Sequence, residues 1–164
     1  MNRTRKITYL GMGITLYVVI SMMLKIPVVN RIKLDLGYLV FAYYLCGFGP
    51  SGTIVGTAGC LIANLLAGGS FPLAWLIGQL FIGLSLGFLF QKTDDLGLRI
   101  IMSVISVFIG IGLIKTVLEV MMFKLPLYAK FLSNMAAFAV DSISFVIGLV
   151  LFRTRNVFGK TGKD

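Results

Sequence analysis

Five polar side chains stand within otherwise apolar sequence: Asn64, Gln79, Lys115, Glu119 and Asp141. An ionisable group in a bilayer core costs about 2.5–3.5 kcal/mol on insertion scales, so such groups face a cavity and have work to do there. Lys115 and Glu119 are four residues apart on one expected helix, so they share a face and can pair. At the helical rise Glu119 lies roughly 7 Å and Lys115 roughly 13 Å below Lys124; Asn134 and Asp141 lie about 9 and 19 Å below Tyr128. These four groups can line one pocket that opens outward. Equally, they can form an internal salt-bridge network holding the last two helices together. Gln79 follows Trp75 by one turn on the same face: either the indole stacks on a planar ligand with the amide below it, or it anchors the helix at the interface. Asn64 fits a site residue or a hydrogen bond between helices.

Other chemistries find little support. Histidine is absent, and Cys46 and Cys60 lie in apolar runs without C-x-x-C spacing, which reads as two buried small residues. No metal-ligand cluster is visible, a serine nucleophile would lack a base, and Asp94-Asp95 is a solvated loop pair. The chain reads as a non-enzyme with no cofactor and no metal. A G-x-x-x-x-G-K-[ST] loop is also missing, so energy must come from an ion gradient or a partner. The net charge of +9 would suggest nucleic acid in a soluble protein, but nine of the fifteen Lys and Arg fall in the N-terminal tail, the 92–99 loop and the C-terminal tail. That is the pattern of cytoplasmic flanks on a membrane protein, and no nucleic-acid partner is expected.

The elements that must position these groups follow from hydropathy. With mean hydropathy +0.97 and 13% charged residues over 164 positions, the chain reads as one all-α integral membrane domain. Six transmembrane helices are expected at about 7–24, 36–48, 51–67, 73–90, 98–123 and 129–152, with a solvated tail at 153–164. The first apolar run, about 18 residues, is too long for a signal peptide h-region. The 36–67 run is too long for one span, and Gly49-Pro50-Ser51-Gly52 divides it. A long polar, extended loop at 28–35 joins helices 1 and 2. Six spans put both termini on one side, and a Lys and Arg count of nine against five favours the cytoplasm. Small residues at Gly52, Gly56, Gly59 and Ala63, and at Gly83 and Gly87, read as helix packing; Gly11 and Thr15, just after the basic tail, can receive a helix of another protein.

The ordered elements Ile26-Pro27, Leu34-Asp35-Leu36-Gly37, Gly49-Pro50-Ser51-Gly52, Gly68-Gly69-Ser70-Phe71-Pro72, Trp75, Gly83 and Gly87 resemble the substrate-binding S components of energy-coupling factor (ECF) vitamin transporters, most closely the riboflavin-type and unassigned branches. The resemblance implies a six-helix protein of the bacterial cell membrane that captures a vitamin-like small molecule with high affinity. Its implied partners are a transmembrane coupling subunit and cytosolic ATPases. It also implies that the loop after helix 1 is a lid, bringing Asn30, Lys33 and Asp35 to the substrate. It places the site on helices 4, 5 and 6 with the outer loops, which fits Trp75, Gln79, Lys115, Glu119 and Asn134; Asn64 and Asp141 join them as candidates from their positions in apolar sequence alone. Docking to the coupling subunit uses A-x-x-x-A in helix 1 of the family; this chain departs from it with Gly11 and Thr15. The competing readings are a self-sufficient ion-coupled transporter or channel, with Lys115, Glu119 and Asp141 as its relay, and a membrane scaffold subunit.

Overall fold

The computed structural model describes residues 3–23, 25–29, 32–68 and 71–161, with side chains at 3–23, 35–68 and 71–154. Helix α1 (Arg3–Met23) leads into an antiparallel hairpin of β1 (Lys25–Val29) and β2 (Ile32–Asp35). Then come α2 (Gly37–Phe48), a 3-10 turn (Gly49–Gly52), α3 (Thr53–Leu66) and α4 (Leu73–Leu89). Helix α5 (Leu96–Val107) passes through a π-helical stretch (Phe108–Lys115) into α6 (Thr116–Phe123), and α7 (Leu127–Thr161) closes the chain.

The breaks have local causes. All four prolines lie at interruptions: Pro27 in the hairpin, Pro50 in the 3-10 turn, Pro72 at the α4 N-cap and Pro126 just ahead of α7. Proline withholds a backbone donor and clashes with the preceding turn. Gly49 turns the chain with a φ of 57°, a conformation that disfavours a side chain. The α4–α5 break has no proline; there Asp95 caps α5 by accepting from Leu98 N at 2.8 Å. Lys124 ends α6 in a left-handed conformation with φ 51°.

Two expectations need correction. The 28–35 segment is not a plain loop: β1 and β2 pair in the register Lys25↔Asp35, Ile26↔Leu34 and Pro27↔Lys33, so the fold is helical with one hairpin added. The register shifts between Pro27 and Val29, where proline cannot donate to the ladder. Nor does the last helix stop at 152; it runs to Thr161, since no proline follows Pro126.

Among the described residues, four helical runs are long and apolar enough to cross a membrane: Arg3–Met23, Gly37–Leu66, Leu96–Phe123 and Leu127–Thr154. Leu73–Leu89 is apolar but shorter, and the 3-10 turn folds the 30-residue Gly37–Leu66 run so that α3 packs back on α2. Each helix buries one stripe. On α1 this is Leu10, Gly13, Tyr17 and Ser21; on α4 it is Ala74, Gly78, Ile82 and Leu86. The opposite faces are apolar and exposed, as with Met12, Leu84 and Ile101, which suits a lipid surround.

At the interior, Phe41, Leu45, Val55, Ile82, Leu86, Phe145 and Leu149 form one buried cluster. Phe145 stands edge-on to Phe41 with centroids 5.9 Å apart. The first turn of α1 and the Arg153 turn of α7 meet at one end of the bundle. Lys6 lines a surface cleft with Asp94 and Arg99 there, and Arg153 donates to the Asp94 carbonyl at 2.8 Å.

Candidate functional site

At the hairpin end the bundle is hollowed by a cavity of about 370 Å³. Its wall is drawn from seven elements: Ser21 of α1, Asp35 of β2, Cys60, Ala63 and Asn64 of α3, Trp75 and Gln79 of α4, and Lys115 at the end of the π stretch. Glu119 of α6 and Lys130, Ser133, Asn134, Ala137 and Asp141 of α7 complete it.

Near the mouth, charges and amides form a closed network. Lys115 donates from Nζ to Asn134 Oδ1 at 2.7 Å, and Asn134 Nδ2 donates to Thr116 Oγ1 at 2.9 Å and Glu119 Oε2 at 3.0 Å. Glu119 also meets two ammonium groups, Lys115 at 3.8 Å and Lys130 at 3.2 Å. The Lys115 ammonium sits 3.6 Å from the centre of the Trp75 ring, a cation–π contact of about 0.5–2 kcal/mol. Every strong donor and acceptor here has a protein partner. That completeness stiffens the wall, because a half-satisfied polar network in a low-dielectric site is costly.

The π stretch aims Lys115. Such stretches are rare and concentrate at functional sites. Thr116 Oγ1 donates back five residues to the Ile111 carbonyl at 3.4 Å, and α4 crosses close by. The crossing depends on two bare backbones: a Cβ on Gly78 would stand 2.7 Å from the Gly110 carbonyl oxygen.

Deeper in, partners become scarce. Gln79 is 1% exposed; its Nε2 donates to Tyr17 OH at 3.2 Å, while its Oε1 accepts from no described residue. The Tyr38 hydroxyl is buried beside the Gln79 amide, with no bond to it at full hydrogen-bond distance. Asp141 is 3% exposed and has no Lys or Arg within 4 Å among the described residues. One turn further along the helices, Phe41, Ile82 and Phe145 close the floor.

Of the site residues expected from the sequence, Asp35, Asn64, Trp75, Gln79, Lys115, Glu119, Asn134 and Asp141 all line this one cavity. Asn30 lies outside the described residues; Lys33 lies on β2, with its side chain outside them. Among the described residues Asn64 bonds within its own helix, its amide donating to the Cys60 carbonyl at 2.8 Å. Trp75 is half-buried under Lys115, not a free interfacial ring. Gly11 and Thr15 are exposed on α1 and do not line the cavity, and Thr15 Oγ1 donates to the Gly11 carbonyl at 3.1 Å.

Sequence reasoning missed Ser21, Lys130, Ser133 and the Tyr17 that holds Gln79. Lys130 was legible only as a charge expected beside a turn, and tyrosine in an apolar run reads as core. No cluster of three or more His, Cys, Asp or Glu able to hold a metal gathers among the described residues.

An apolar helical bundle with a polar cavity at one end and a largely apolar core beneath it is the architecture of a membrane protein. The chain matches the family described as the ECF-type riboflavin transporter S component over residues 1–155, and it belongs to that family. The family is a transporter component, not an enzyme. Among its relatives are a UPF0397 protein of Streptococcus thermophilus, 26% identical with 99% of this chain and 98% of that protein covered, and a UPF0397 protein of Lactococcus lactis subsp. cremoris, 23% identical over the same shares. In fold it is similar to the crystal structure of the S component for biotin from an ECF-type ABC transporter, with a TM-score of 0.73 at 18% identity, covering 95% of this chain and 94% of that one.

Proposed function

We propose that this protein is the high-affinity solute-capture subunit of an ATP-driven importer for a vitamin or related micronutrient. It works with a transmembrane coupling subunit and cytosolic ATPases in the bacterial cell membrane. The chain crosses the membrane six times with both termini in the cytoplasm, so the hairpin and cavity face outward. The basic flanks at the end away from the cavity favour this orientation. Solute enters past the β1–β2 hairpin and binds among Asp35, Asn64, Trp75, Gln79, Lys115, Glu119, Asn134 and Asp141, with Asn30 and Lys33 contributing from the hairpin side. The exposed Gly11/Thr15 face of α1 receives a helix of the coupling subunit.

The observation that carries this reading is the convergence of those polar side chains, from well-separated stretches of an S-component chain, on one cavity at the end of an apolar bundle. Binding sites for small solutes are concave, with a few placed polar groups in otherwise apolar surroundings. A relay of ions through Lys115, Glu119 and Asp141 finds no such support. Beyond Asp141 and Gln79 the interior is filled by Phe41, Leu45, Ile82, Leu86 and Phe145, and the buried polar groups there among the described residues are hydroxyls such as Thr53, Ser103 and Ser106, with no ionisable side chain to carry a relay onward.

Mass spectrometry of small molecules retained by the protein purified alone in mild detergent tests the reading. A vitamin-like compound near one per chain is expected. An empty protein that also gives no ATP-dependent uptake when co-expressed with a compatible coupling module would overturn it.

A further inference from the structure

The two halves of the cavity differ in what they lack. At the mouth both ammonium groups are committed to Glu119: Lys115 at 3.8 Å and Lys130 at 3.2 Å. Lys115 is further engaged by Asn134 at 2.7 Å and the Trp75 ring at 3.6 Å. An incoming anion therefore finds no uncommitted cation among the described side chains of the wall.

The floor presents the reverse. Gln79 is 99% buried, lines the cavity beside the Tyr38 hydroxyl, and keeps an Oε1 that no described donor reaches at hydrogen-bond distance. Asp141, 97% buried, lines the same space; it accepts from the Asp35 backbone N–H but has no cation within 4 Å among the described residues. Over the whole described lining, three carboxylates (Asp35, Glu119, Asp141) face two ammonium groups (Lys115, Lys130). A carboxylate held by one backbone N–H and a carbonyl with no bonded donor are both acceptors with capacity to spare, and a charged donor satisfies them better than a neutral one.

We propose that the floor between Asp141 and Gln79 seats a cationic, hydrogen-donating nitrogen group of the solute, such as an amidinium, a protonated amino-heteroaromatic ring or an alkylammonium. This rests on the capture reading and narrows it to one chemical class. The nitrogen group enters first and deepest, because the matched network at the mouth holds no vacancy for it. The remainder of the solute lies toward Trp75 and Asn64.

The test uses the full chain in mild detergent and three probes of nearly equal shape: benzamidinium, benzamide and benzoate. Each dissociation constant is measured by ligand-observed NMR. Benzamidinium should bind at least about tenfold more tightly than benzoate, the scale of a charge-assisted hydrogen bond. Asp141→Asn, which keeps the side-chain volume, should abolish that preference. Gln79→Leu should weaken benzamidinium about threefold to tenfold, and serves as the readout if Asp141→Asn does not fold.

Equal binding of the three probes, preference for benzoate, no binding of any probe, or a cation preference that survives both substitutions would each overturn the proposal. So would a retained natural solute that is an anion or lacks nitrogen donors. That last result would leave the capture reading standing, so the two fail separately.

Discussion

The two ends of this bundle are built from the same helices but by opposite rules. Away from the cavity, α2, α3 and α4 meet backbone to backbone. A Cβ on Gly87 would lie 2.6 Å from Pro50 Cα, and one on Gly52 would lie 2.7 Å from the Tyr44 carbonyl oxygen. At the cavity end the same helices carry Gln79, Asn64 and Tyr38, and the interior opens to about 370 Å³. At these contacts close approach leaves no room even for a Cβ, whereas separation of the same helices opens the cavity. The comparison teaches that the sealed end bears the stability of the fold, while the open end gives some of it up for polar groups aimed at space.

The contrast can be broken most severely at the sealed end. Gly87→Leu should destabilise the protein by about 3 kcal/mol, since the backbone of Pro50 must move; thermal unfolding in detergent would show it. Lys115→Met comes next. It removes the contact to Trp75 and the bond to Asn134, so unliganded stability should fall by about 1–2 kcal/mol and solute affinity at least about tenfold, read by calorimetric titration. Unchanged affinity with lowered stability would make the mouth network a structural brace alone.

Gln79→Leu sharpens the comparison, because it deletes an orphaned acceptor together with one bond to Tyr17. Stability should stay within about 1 kcal/mol of the parent while affinity drops. The smallest effect on stability, within about 0.5 kcal/mol, is expected for Gly11→Leu combined with Thr15→Leu. A Cβ on Gly11 meets nothing within 4 Å. Solute binding should survive in that double variant and co-purification with the coupling subunit should not; assembly that persists would remove this face from consideration as the docking surface.

Much of the cavity was legible before any coordinates, for an energetic reason. A charged or amide side chain in a long apolar run is so costly that its presence marks an interior-facing position, which is how Gln79, Lys115, Glu119 and Asp141 stood out. Proline and glycine marked the helix breaks by the same logic of a missing donor or a missing Cβ. What escaped notice carried no such anomaly. Tyr17 looks like core until its hydroxyl meets Gln79, and Lys130 looks like an ordinary charge near a turn until it reaches Glu119 at 3.2 Å. The hairpin showed as alternation at 28–35, but its first strand begins at Lys25 and contains a proline, so the pairing partner was hidden. The π stretch is invisible in sequence because its residues, Phe108–Lys115, have an ordinary helical composition.

That stretch also sets a limit on how the chain can vary. A π turn accommodates an extra residue within a helix that otherwise continues, whereas an α-helix turns about 100° for each residue it gains or loses. Losing one residue between Phe108 and Lys115 would therefore act as a rotation more than a shortening. It would swing Glu119 and the rest of α6 off the cavity wall while leaving α5 in place. Drift among relatives at this point should take the form of substitutions, since the reading frame of the wall is counted here one residue at a time.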